Sequence, residues 1–161
     1  EIETRRVHFA GCTAHPDNAW VTQQARQVMW ELADREPGIR FLIRDNDSKF
    51  GACFNRVAKD RRIAVLRTPV RAPQANATCE RFIGSVRREC LDHILILSER
   101  HLHRVVGEYV AYFNHARPHQ GIEQRIPDPR EEDVVSVGEC RGRIVGHPVL
   151  GGLHHDYRWV A

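Results

Sequence analysis

The chain has 161 residues, 42% of them apolar, with a formal net charge of +3, which suits one core-forming domain or one domain plus a tail. No apolar run is long enough to span a bilayer, and the opening Glu1-Ile2-Glu3-Thr4-Arg5-Arg6 lacks both the apolar region of a secretory signal and an initiator Met, so the sequence reads as a fragment. Five scattered cysteines without any CxxC exclude a disulfide scaffold or zinc knuckle and point to reduced thiols in a cytoplasmic protein. In chain order, residues 6–13 alternate in part and predict a strand carrying Val7 and Phe9. His15-Pro16-Asp17-Asn18 is a turn, with Asp17 or Asn18 as helix cap. Helical spacing follows over 20–34, where Val21, Ala25, Val28, Met29 and Leu32 share a stripe, and Trp20 and Trp30 are expected in the core. Residues 40–44 predict a short buried strand. Residues 50–60 predict a helix with Phe50, Phe54 and Val57 inward, and 63–67 the next strand.

Residues 69–76 hold two prolines and predict a loop. A helix over 77–94 should bury Phe82, Ile83, Val86, Cys90 and Ile94. Ser98 is placed to cap another helix, with Leu102, Val105, Val106, Tyr109, Val110 and Phe113 as its apolar stripe. Residues 131–161 read as a tail with possible short strands, His154 and His155 being exposed. The order β-α-β-α-β-α-α defines an α/β fold, with helices packed on a mixed sheet.

Two carboxylates carry the chemistry. Asp45 ends the apolar run 41–44 and opens a polar loop. Glu80 stands near the start of the helix over 77–94. If the fold joins them, they form a hard-oxygen site suited to Mg²⁺ or Mn²⁺. Arg56, Lys59, Arg61, Arg62, Arg67 and Arg71 lie between them, either as a solvated face or as a surface for phosphates. On its helix Glu80 shares a face with Gly84 and Arg87, and Arg87 can hold a phosphate through two N–H bonds. Taken alone, Glu80 reads as an ordinary first-turn carboxylate favoured by the helix dipole. Asp47 reads as a turn residue. His101 and His103 point about 160° apart on a helix and cannot share an ion.

Four segments in order now acquire weight: Arg44-Asp45-Asn46-Asp47-Ser48-Lys49-Phe50, residues 67–82 leading through Asn76-Ala77 to Glu80, Arg87-Arg88-Glu89, and Phe113-Asn114-His115-Ala116-Arg117-Pro118-His119. Together they resemble the core of insertion-sequence transposases and retroviral integrases, the acidic-triad Asp-Asp-Glu superfamily. The resemblance is closest to bacterial insertion-sequence transposases and spans roughly residues 1–130, leaving 131–161 as a C-terminal tail. It implies a ribonuclease H-like mixed sheet flanked by helices. It implies DNA transposition or integration by metal-dependent polynucleotidyl transfer, with two Mg²⁺ or Mn²⁺ ions in the complete site. Asp45 matches the second triad Asp and Glu80 the triad Glu, as catalytic and metal-holding residues. Arg71, Arg87, Arg88, Arg117 and His119 become DNA contacts, although the Asn114–Arg117–His119 motif serves packing equally well. The implied partners are DNA, both element ends and target, and a second copy of the chain. The implied location is the bacterial cytoplasm, at the nucleoid when DNA is bound.

One departure stands out. The family's first triad Asp lies on a first strand that has no counterpart here, since residues 4–8 resemble the start of its third strand. Glu1, Glu3, Asp17 and Asp34 do not fill the place. The first one or two strands are therefore expected to be missing. Two other readings follow: a catalytically inactive remnant that at most binds DNA, and a ribonuclease H-type nuclease.

Overall fold

The structure, a computed structural model, describes residues 1–33, 38–69, 76–130 and 142–160. It is mixed α/β and divides into two compact units, Ala10–Gly84 and Glu1–Phe9 with Ser85–Ala161. No helix among the described residues is long and apolar enough to cross a membrane.

In the unit Ala10–Gly84, helix α1 runs over Asn18–Glu31. It starts two residues before the apolar stripe predicts, because the Asp17 carboxylate accepts the Trp20 N–H at 2.7 Å. Thr22 and Met29 are its buried residues. Trp30 departs from expectation. It is 74% exposed, and the Arg61 guanidinium lies 5.6 Å from its ring centroid, so a cation rather than the core covers part of it.

Strand β1 (Phe41–Arg44) and strand β2 (Ala64–Arg67) pair in parallel, Phe41 opposite Ala64 and Arg44 opposite Arg67. Helix α2 (Ala52–Asp60) connects them and buries Phe54 and Ala58. It begins two residues later than predicted, because Phe50 belongs to the preceding turn, its N–H bonded to the Asp47 carbonyl at 3.1 Å. Gly51 permits a close approach between helices. A Cβ there would sit 2.3 Å from the Asn18 amide nitrogen, which donates to the Lys49 carbonyl at 2.8 Å. The expectation that 40–44 is buried is corrected. Phe41 is 56% exposed and Ile43 38%, because a two-stranded sheet covered on one face leaves alternate residues open on the other.

The predicted strand over residues 6–13 is not formed among the described residues. In the unit containing Val7, its peptide groups pair instead with one side chain. The Asn114 amide donates to the Val7 carbonyl at 2.8 Å, and its oxygen accepts the Val7 N–H at 2.9 Å. This is the bonding a neighbouring strand would give, delivered at a single point.

Helix α3 (Ala77–Glu89) ends five residues short of the predicted 94. Cys90 leaves helical geometry, a short 3₁₀ turn Leu91–His93 follows, and the His93 ring donates to the Arg88 carbonyl at 2.9 Å. Val86 and Cys90 are buried as expected, whereas Ile83 is 58% exposed. Helix α4 (Glu99–His115) is capped by Ser98 and buries Val105, Tyr109, Val110, Phe113 and Asn114. The tail contains an antiparallel hairpin, β3 (Arg143–Val149) with β4 (His154–Val160), Ile144 opposite Trp159 and His147 opposite Asp156.

Asn114→Ala removes both bonds to Val7 and leaves two partly buried peptide groups unpaired. The expected cost is about 2 kcal/mol, with faster amide exchange at Val7. Urea unfolding and hydrogen exchange check this; an unchanged exchange rate at Val7 would show that the clamp is dispensable.

Candidate functional site

The parallel ladder delivers Asp45. Beyond β1 and β2 the Thr68 N–H still bonds to the Arg44 carbonyl at 2.9 Å, and the Asn46 amide donates to the Thr68 carbonyl at 2.9 Å. The loop after β1 is thus tied to the end of β2. Asp45 is exposed at this strand end. One of its carboxylate oxygens accepts the Asp47 N–H at 3.1 Å. Asp47 is the turn residue it was read to be. It accepts from the Lys49 N–H at 2.9 Å and the Lys49 ammonium at 3.1 Å, and these bonds hold its pKa below the ordinary value.

Glu80 occupies the first turn of α3 and is exposed. Cys79 lies at the surface, yet its thiol pKa is pushed up, first by partial burial and then by the negative charges of Glu80 and Asp45. Among the described residues no three His, Cys, Asp or Glu side chains converge as a metal-binding group.

The basic residues expected at DNA fall into three groups. Arg71 lies outside the described residues. Arg87 and Arg88 are exposed, and Arg87 stands 3.9 Å from Asp92 in a loose surface pair that leaves its charge largely available. Arg117 and His119 are engaged inside their unit. The Arg117 guanidinium donates to both Glu89 oxygens, at 2.7 and 2.9 Å, and the Tyr109 hydroxyl donates to the same carboxylate at 2.8 Å. His119 is 7% exposed; its Nε2 donates to the Phe113 carbonyl at 3.0 Å, which leaves Nδ1 to accept from Arg117 at 3.1 Å. Burial lowers the His119 pKa, and the Arg117 charge adds to that, so the ring is held neutral.

Sequence reasoning missed four residues. Arg44 is 6% exposed beside Asp45. Glu89 anchors Arg117. His154, expected in solvent, stacks on Tyr112 with centroids 4.8 Å apart and donates to the Glu89 carbonyl at 2.7 Å. Asp156 is buried and accepts from Arg130 and Arg158 at 2.9 and 2.6 Å. Only the Asp156–Arg158 pair had a visible signal, since residues two apart on a strand share a face.

Residues 61–127 match the family model described as an integrase core domain. The match supports an integrase or transposase superfamily. It contains Glu80, Arg87, Arg88, Arg117 and His119, while Asp45 lies outside it. No curated protein matches the chain.

Glu89 yields a pH prediction. Burial alone would raise its pKa, but the bonds from Arg117 and Tyr109, with the charge of Arg117, hold it below the ordinary value. A depressed folded pKa contributes stability that is present above the unfolded value, about 4.3, and lost as pH falls through the folded one. Glu89→Gln should cost about 2 kcal/mol at pH 7. The gap from the unaltered protein should shrink as pH drops below about 4. Urea melts at several pH values measure it; a pH-independent gap would contradict the ion pair's role.

Proposed function

We propose that the protein acts in DNA transposition or integration, through an integrase-type core that binds DNA and presents Asp45 and Glu80 at the reacting phosphodiester. The observation carrying this reading is the match of residues 61–127 to the integrase core, in a chain that exposes Asp45 at the end of β1 and Glu80 in the first turn of α3. The donor chemistry fits Mg²⁺ or Mn²⁺. Both groups are exposed hard-oxygen donors, and Mg²⁺ is commonly held by one or two carboxylates with waters and substrate phosphates completing its shell. Such an ion, when bound, polarises a phosphoryl oxygen and lowers the pKa of a water or DNA 3′-hydroxyl. Asp45 and Glu80 would hold it. Arg71, Arg87 and Arg88 would grip phosphates, positioning DNA without reading its sequence. A second copy of the chain is the proposed protein partner, and the nucleoid the proposed location of the DNA-bound form.

A second reading is favoured by the donor set. With only Asp45 and Glu80 matching the acidic triad of the family resembled, the chain would bind DNA without cutting it. Removing one member of a catalytic group that acts as a unit can abolish most of the rate.

Nicking and strand transfer of labelled duplex in Mn²⁺ separate the two. Products lost in both Asp45→Asn and Glu80→Gln support catalysis. Salt-sensitive binding without products supports the binding-only reading. Absence of DNA binding, or binding insensitive to salt, overturns both. Affinity should fall steeply with salt through counterion release, and Arg87→Ala should lower the slope of log affinity against log salt by about one unit.

A further inference from the structure

Arg44 is the last residue of β1, and its side chain turns inward. Its guanidinium carbon lies 5.3 Å from the Phe50 ring centroid, and Phe50 in turn meets Phe54 edge-on at 4.9 Å. One terminal nitrogen donates to the carbonyl of the next residue, Asp45, at 2.8 Å. Its Nε is buried without a hydrogen-bond partner. No ion pair to Arg44 is present among the described residues. A buried cation with no counter-charge is unfavourable, and apolar side chains of similar volume commonly replace buried charges at no loss of stability. The burial of this charge is offset only by the Phe50 ring and the Asp45 carbonyl.

A methionine or leucine could fill this space, but neither could bond a carbonyl. We propose that Arg44 is a positioning residue for Asp45: it clamps the Asp45 peptide from inside the fold while the carboxylate projects outside. This deepens the proposed function and rests on its assignment of Asp45. The Asp45 peptide is then fixed by its own neighbour, and its carboxylate is braced by the Asp47 N–H. The Asn46–Thr68 bond closes the same turn onto β2. A metal-holding carboxylate has to be kept within about 0.5 Å of its working place, and residues supporting it supply that accuracy.

The test uses the full chain and compares the unaltered protein with Arg44→Met, Arg44→Lys and Asp45→Asn. Three quantities are read: thermal midpoint, amide exchange along residues 38–69, and Mn²⁺ affinity by electron paramagnetic resonance. Arg44→Met should keep or raise the thermal midpoint. Exchange should quicken at Asp47 and Lys49 but not across the unit. Asp45-dependent Mn²⁺ affinity should fall about tenfold, the lower end for loss of a residue supporting a ligand. Arg44→Lys, which can still reach a carbonyl, should lie between the two; it also decides the matter if the methionine variant does not fold. Unchanged exchange at 45–49, or unchanged Mn²⁺ affinity despite quicker exchange, overturns the proposal. So does a uniform rise in exchange with lost stability, which marks a merely structural role. If the unaltered protein shows no Asp45-dependent Mn²⁺ binding, the functional reading falls, and with it Arg44's service to a metal site.

Discussion

Main-chain amides and carbonyls that leave water need partners, and a chain with little sheet has few ladders to supply them. Here the described sheets are two pairs of strands. Side chains take over elsewhere. Asn114 serves both peptide groups of Val7, Asn46 serves Thr68, and Asn18 serves Lys49. Arg44 serves Asp45, His119 serves Phe113, and His154 serves Glu89. In each unit the irregular segments are held by polar side chains acting on backbone atoms.

This explains which parts of the fold were legible. The helices announced themselves through caps and apolar spacing: Asp17 and Ser98 both accept the N–H three residues on, as their positions suggested. The strands 41–44 and 64–67 followed from short apolar runs flanking a helix, whereas their parallel pairing is seen only in the structure. The segment 6–13 misled because alternation records which side chains could face a core, not whether a partner strand exists. Trp30 misled for a related reason. It was expected inside as a large aromatic although it lies off the stripe of α1, and nothing local revealed that Arg61 would meet it.

The candidate site divides in the same way. Asp45 and Glu80 could be singled out because each sits at an element boundary beside recognisable motif residues. Whether they meet depends on tertiary placement that no local pattern encodes. The ambiguity over Asn114, Arg117 and His119 was real in sequence terms, since an arginine and a histidine after a proline-bearing turn suit phosphate contact and internal bonding alike. In the structure their polar atoms are committed to Val7, Glu89 and Phe113. Glu89 itself was invisible as an anchor, because its partners lie 20 and 28 residues away in sequence.

A strand ladder is indifferent to its side chains, because backbone pairs with backbone. The Asn114 clamp is not: the amide must offer one donor and one acceptor at the right reach, and no other residue type offers the same pair at that length. Natural variation at position 114 should therefore be confined as tightly as at a reacting residue, although Asn114 holds only a peptide. Invariance there, read without the structure, would look like a signature of chemistry.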